Sequence, residues 1–99
     1  MPRIQGLDES GIKTADTLIK SGVGYLFHAT IAYKGVTAGE LCTFIDSLTA
    51  AGSDEVPIVF EGANGTLQLD WPQGKKFDTG IFFNKGATVG SVFMECTFK

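Results

Sequence analysis

His28 is the only imidazole in the chain, and Cys42 and Cys96 are its only thiols. An imidazole can act as a general base for a hydroxyl nucleophile, or as a metal ligand, but either role needs partners at a set distance. No serine lies in a GxSxG setting, and His28 belongs to no His/Cys/carboxylate spacing of the kind that holds zinc. A lone histidine of this sort reads as a structural or surface residue. The carboxylates include two adjacent pairs, Asp8-Glu9 and Asp54-Glu55, both on segments with loop character. A glycosidase needs two carboxyls facing each other across a cleft, which a chain this short seldom builds. The glycines of "GANG" and "NKGATVG" do not stand between a strand and a helix, so they read as turns and not as a phosphate cradle. The side chains therefore predict no enzyme, no metal site and no cofactor.

The two cysteines lie far apart without CxxC spacing. In a cytosolic product they read as reduced core thiols. A disulfide would require both to fall on facing strands, a point that the spacing leaves open.

The elements that must position these groups follow from composition and pattern. Ninety-nine residues, 43% hydrophobic and 19% charged, make one globular domain. The net charge is −3 and the largest basic cluster is Lys75-Lys76, which argues against a nucleic-acid partner. No apolar run approaches the ~20 residues that cross a bilayer, so no membrane partner is expected. "MPRIQGLDES" lacks the apolar stretch of a secretory signal, so synthesis in the cytosol is expected.

Residues 1–15 are polar, with isolated apolar points at Ile4, Leu7 and Ile12 and a proline and two glycines that break any period. They read as an N-terminal arm, either loose or laid on a neighbouring subunit, ahead of a domain over 16–99. "DTLIK" can form a short strand. "VGYLFHATIAY" alternates cleanly, which predicts Val23, Tyr25, Phe27, Ala29, Ile31 and Tyr33 inward, with Leu26, His28 and Thr30 outward. "TAGELCTFIDSLTAAG" is ambiguous. Leu41, Phe44, Ile45 and Leu48 form a helical stripe behind a Thr37/Glu40 capping box, yet Gly39 and the β-tolerant "LCTFI" favour a strand.

Beyond it, "VPIVFEG" predicts an edge strand or strand start at Pro57. Asn64-Gly65 predicts a two-residue hairpin loop. "TLQLDW" predicts Leu67, Leu69 and Trp71 inward, and "PQGKK" a turn. "FDTGIFFN" and "VFMECTF" predict inward Phe77, Ile81 and Phe83, then Val92, Met94, Cys96 and Phe98. Short strands with turn signals every eight to twelve residues indicate an all-β sandwich or barrel. Leu26, Phe44, Phe82 and Phe93 are left for the opposite faces, where loops or a partner must cover them. Of these, Phe93 is the candidate subunit-interface residue.

From about residue 16 to 98 the chain resembles a group of small phage structural proteins. The likeness rests on "DTLIKSGVGYLFHATIAYKGVTAGELCTFIDS", in which "IKSGVGYL" begins a hairpin and "GVTAG" leads to a strand with an Asp-containing turn. The close, "FDTGIFFNKGATVGSVFMECTF", is similar too. The resemblance implies a small antiparallel β-sandwich, jelly-roll-like, with "ELCTFIDS" as a strand. It also implies a virion protein: a capsid cement or decoration protein, or else a head-fibre or tail accessory module that binds carbohydrate or a receptor. "LTAAGSDEV" departs from the pattern as a longer loop, and the first fifteen residues match nothing in it.

On this reading the partner is a major capsid protein, contacted through Ile4, Leu7 and Ile12, and the protein self-associates, a trimer being favoured. Exposure of Tyr25 or Trp71 on a concave face would instead point to sugar binding, since sugars stack on flat aromatic rings.

Overall fold

The computed structural model describes residues 6–52, 54–86 and 90–99, and these hold eight strands and no helix. The strands are β1 (Asp8–Glu9), β2 (Thr17–Ser21), β3 (Gly24–Lys34), β4 (Leu41–Asp46), β5 (Asp54–Val59), β6 (Asn64–Phe77), β7 (Gly80–Asn84) and β8 (Ser91–Phe98). They form two antiparallel four-stranded sheets in the orders β1-β8-β3-β6 (sheet A) and β2-β7-β4-β5 (sheet B). Each successive strand from β2 to β7 follows the jelly-roll path, so the fold is the expected all-β sandwich. The described part of the lead-in is extended and lies along β8 of its own domain. Asp8 and Glu9 pair with Phe98 and Thr97, and Lys13 pairs with Met94.

The core forms where period-2 strands turn their apolar faces toward each other. Sheet A contributes Ala29, Ile31 and Tyr33 from β3, and Val92, Met94 and Cys96 from β8; sheet B contributes Cys42, Phe44, Ile81 and Phe83. Phe60, in the connection after β5, packs tilted against Tyr33 with ring centroids 4.7 Å apart. The segment that could have been helical is strand β4, as the resemblance implied. Gly39 has φ +92°, which no helix accepts, and the Thr37/Glu40 pair makes a turn in which Glu40 N–H donates to the Thr37 carbonyl. Phe44, expected on an outward face, is consequently in the core.

Three local expectations are corrected. In β3 the alternation slips: Leu26 pairs with Phe98 and His28 with Thr97, so Phe27 is an extra residue, a β-bulge. Upstream of it the faces reverse. Leu26 is fully buried, while Val23 and Tyr25 are exposed and Phe27 leaves the core.

Asn64-Gly65 is not a hairpin loop, because β5 and β6 belong to different sheets and both residues are already paired, with Lys34 and Tyr33. Gly65 is instead required for space: a Cβ there would lie 2.6 Å from the Tyr33 hydroxyl oxygen.

"PQGKK" does not reverse the chain. Leu26 pairs with Lys75 and His28 with Asp70, so the residues between Asp70 and Lys75 bow outward within β6, helped by Gly74 at φ +86°.

Candidate functional site

The outer face of sheet A carries the groups that sequence singled out. Strand register sets three rows across β8, β3 and β6: Phe93–Ala32–Thr66, Glu95–Thr30–Gln68 and Thr97–His28–Asp70. Pairing of the lead-in with β8 then brings Ile12 beside the first row. Ile12, Thr30, Ala32, Phe93, Met94 and Glu95 line one shallow, mainly apolar depression of about 200 Å³. Ile12 is 67% exposed and Phe93 43% exposed, so two large apolar side chains meet solvent side by side here, as Leu41 and Val59 do at the edge of sheet B. Two residues nominated separately thus share one surface. Leu7 is half-buried just ahead of β1, and Ile4 lies outside the described residues.

The last row holds, among the described residues, a polar chain with catalytic form. His28 Nδ1 is 2.6 Å from Asp70 Oδ1, and His28 Nε2 is 3.0 Å from Thr30 Oγ1. With the proton on Nδ1, the carboxylate fixes the tautomer and Nε2 accepts from the threonine hydroxyl, the order found in hydroxyl–imidazole–carboxylate catalysis. The nearby acid that a hydrolytic role for His28 requires is therefore present.

Catalysis also needs N–H donors aimed at a developing oxyanion. Thr30 sits on a strand paired on both edges, to β6 and β8, so the neighbouring backbone N–H groups of β3 are engaged in the ladders. The side chains of His28 and Asp70 stand open on a flat face, 35% and 69% exposed. The arrangement suits a cross-strand polar ladder that orders the face. Across the sheet from His28, the buried Thr97 hydroxyl has no hydrogen-bond partner in the structure.

A second depression, of about 440 Å³, lies at the bulged end of the same sheet between Val23, Tyr25, Phe27, Gln73 and Lys99. The bulge creates it by turning Tyr25 and Phe27 outward, and Gly74 makes room for the Phe27 ring, whose Cζ would lie 3.0 Å from a Cβ placed there. Sequence alternation alone hid this site, because it placed both aromatics in the core. Trp71, the other aromatic considered for a sugar platform, packs against the core edge.

Burial keeps both thiols protonated and poorly nucleophilic at neutral pH. Cys42 and Cys96 are both buried and unpaired, and burial pushes each up to about 11. Among the described residues no group of three or more His, Cys, Asp or Glu could hold a metal ion.

Asp46 has a structural role at the end of β4. Its carboxylate accepts from the N–H groups of Asp78 (3.0 Å), Thr79 (2.7 Å) and Gly80 (3.3 Å), tying down the β6–β7 turn. Those bonds, led by the one from Asp78, hold its carboxyl below the usual aspartate range. No family model matches the chain, and neither does any curated protein.

Proposed function

We propose that this protein is a virion structural protein, a capsid cement or decoration protein that binds the outer surface of a major-capsid-protein shell and stabilises it by bridging neighbouring subunits. The observation that carries the reading is the shared exposure of Ile12 and Phe93 on a sheet face that the described residues leave uncovered. A rigid sandwich that lays this face across a seam adds buried apolar area to both sides of it, with no chemistry required. Stable interfaces of this kind bury on the order of 1,200–2,000 Å² in total. Self-association would multiply several such contacts on one particle. The protein acts on the virion surface after synthesis in the host cytoplasm.

The test is co-sedimentation of the purified protein with shells assembled from its cognate major capsid protein, alone and with Ile12→Lys/Phe93→Lys. Saturable binding that the double substitution abolishes supports the reading; no binding by the unsubstituted protein sinks it.

One observation favours a second reading, a head-fibre or tail accessory module that binds carbohydrate. Tyr25 and Phe27 line a depression beside the polar Gln73 and Lys99, a combination suited to stacking a sugar ring and hydrogen-bonding its hydroxyls. Glycan-array binding that is lost in Tyr25→Ala, without affinity for shells, would select it over the first.

A further inference from the structure

The two sheets have four edges, and three of them are obstructed. Strand β1 is only two residues long and acidic. Strand β2 is broken by a register shift between Leu18 and Lys20, and it carries that lysine. Strand β5 contains Pro57 and faces a register shift in β4 between Phe44 and Ile45. Short length, charge, proline and bulges are the devices by which sheet edges avoid pairing with another chain.

Along its first half strand β6 has full length and neither proline nor bulge, and its one charge, Asp70, stands at the end of the run. Asn64 to Asp70 pairs with β3 without irregularity, and proline appears only at position 72. Its other side bounds the sheet, and among the described residues its backbone makes no hydrogen bond in that direction. On the core side of this edge Leu67, Leu69 and Trp71 remain only half-buried in a single copy.

We infer that this edge pairs with the same edge of a second copy, antiparallel about a two-fold axis at Gln68, joining two A sheets into one eight-stranded sheet. The sequence of the edge is self-complementary in that register. Residues directly opposite across an antiparallel pair point to the same face. Leu67 then meets Leu69 of the other copy on the core side, and Trp71 comes opposite Gly65, beside the Tyr33 ring that already lies over that glycine. On the outer side Gln68 meets Gln68, amide to amide, and Asp70 meets Thr66, so no like charges oppose.

The axis is isologous, and it closes with two copies. Seven or eight residues at ~3.4 Å each, across the thickness of a sandwich, bury about 1,000 Å² in total, the lower bound for a specific interface. The inference is independent of what the outer face of sheet A binds, and it favours a two-fold pair over the trimer expected from the resemblance.

Sedimentation equilibrium over a concentration series tests it. The protein is expected to run at twice the chain mass, and Gln68→Lys, which sets two lysines against each other across the axis, weakens self-association about tenfold or more. Mixing Gln68→Lys with Gln68→Glu restores a mixed dimer, and Thr66→Lys, placed opposite Asp70, leaves the dimer intact. Circular dichroism melts confirm that each variant is folded. A protein that is monomeric at every concentration overturns the inference, as does an oligomer indifferent to Gln68→Lys. Capture of a strand from a shell protein at this edge by an otherwise monomeric protein overturns it as well.

Discussion

The two sheets differ in how they treat the centres of their outer faces. On sheet B the chain roofs its own centre. Ile45 lies outside the core cluster yet is only 1% exposed, because the loop after β4 folds back on it. A Cβ on Gly52 would come within 2.6 Å of the Ile45 side chain, and one on Gly80 within 3.0 Å of Leu48. On sheet A no loop crosses among the described residues, and Ile12 and Phe93 stay exposed beside Ala32, with Val23 and Tyr25 exposed at the bulged end. Sheet B and its loop also leave Leu18, Leu41, Leu48 and Val59 exposed, but away from the covered Ile45. The difference lies at the centres of the two faces: the connection after β4 covers Ile45 on sheet B, and among the described residues nothing equivalent covers Ala32 and Phe93 on sheet A.

Substitutions can break or sharpen this contrast. The largest loss of folding free energy is expected at the roofed face. Ile45→Ala removes a buried side chain held between strand and loop, and should cost about 2–4 kcal/mol in urea denaturation. A cost below ~1 kcal/mol would mean that the loop is no roof.

Asp46→Asn, at the end of the same strand, should cost about 1–2 kcal/mol near neutral pH by weakening the bonds from Asp78, Thr79 and Gly80. Because the Asp46 carboxyl is held low in the folded protein, its contribution is complete above its unfolded value and fades as pH falls through the folded one. The gap between the two proteins should therefore close below about pH 4, as read by thermal melts across pH.

On the bare face, Phe93→Ser and Ile12→Ser should each change stability by about 0.5 kcal/mol or less, while shell binding is lost. A stability cost at Phe93 equal to that at Ile45 would erase the distinction between the faces.

The smallest effect is expected at His28. Hydrolysis of an activated ester should not exceed the buffer rate, and His28→Ala should leave it unchanged. Turnover that disappears in His28→Ala would convert the Thr30–His28–Asp70 ladder from ornament to active site.

Much of the sandwich was legible because most strands obey a strict period of two. β7 and β8 turn inward the residues that alternation chooses, from Ile81 to Cys96. Legibility failed where a neighbour distant in sequence decides. The extra residue at Phe27 is defined only against β8, so no property of "GYLFHAT" reveals the reversal. The turn signal of Asn64-Gly65 is real chemistry put to another use, since the glycine makes way for Tyr33. For the site, Ile12 and Phe93 could each be suspected as apolar points on polar segments. Their adjacency rests on Lys13 pairing with Met94, a contact between the two ends of the described chain. Asp70 was invisible as a partner of His28 for the same reason.

The extra residue in β3 also divides the strand into two independently facing parts. Upstream of Phe27 the strand shows its odd-numbered side chains to the outside, and downstream it keeps them in the core. Substitution at Tyr25 or Val23 can therefore retune what that rim touches while Ala29, Ile31 and Tyr33 go on packing undisturbed. One inserted amino acid lets a single strand evolve as two.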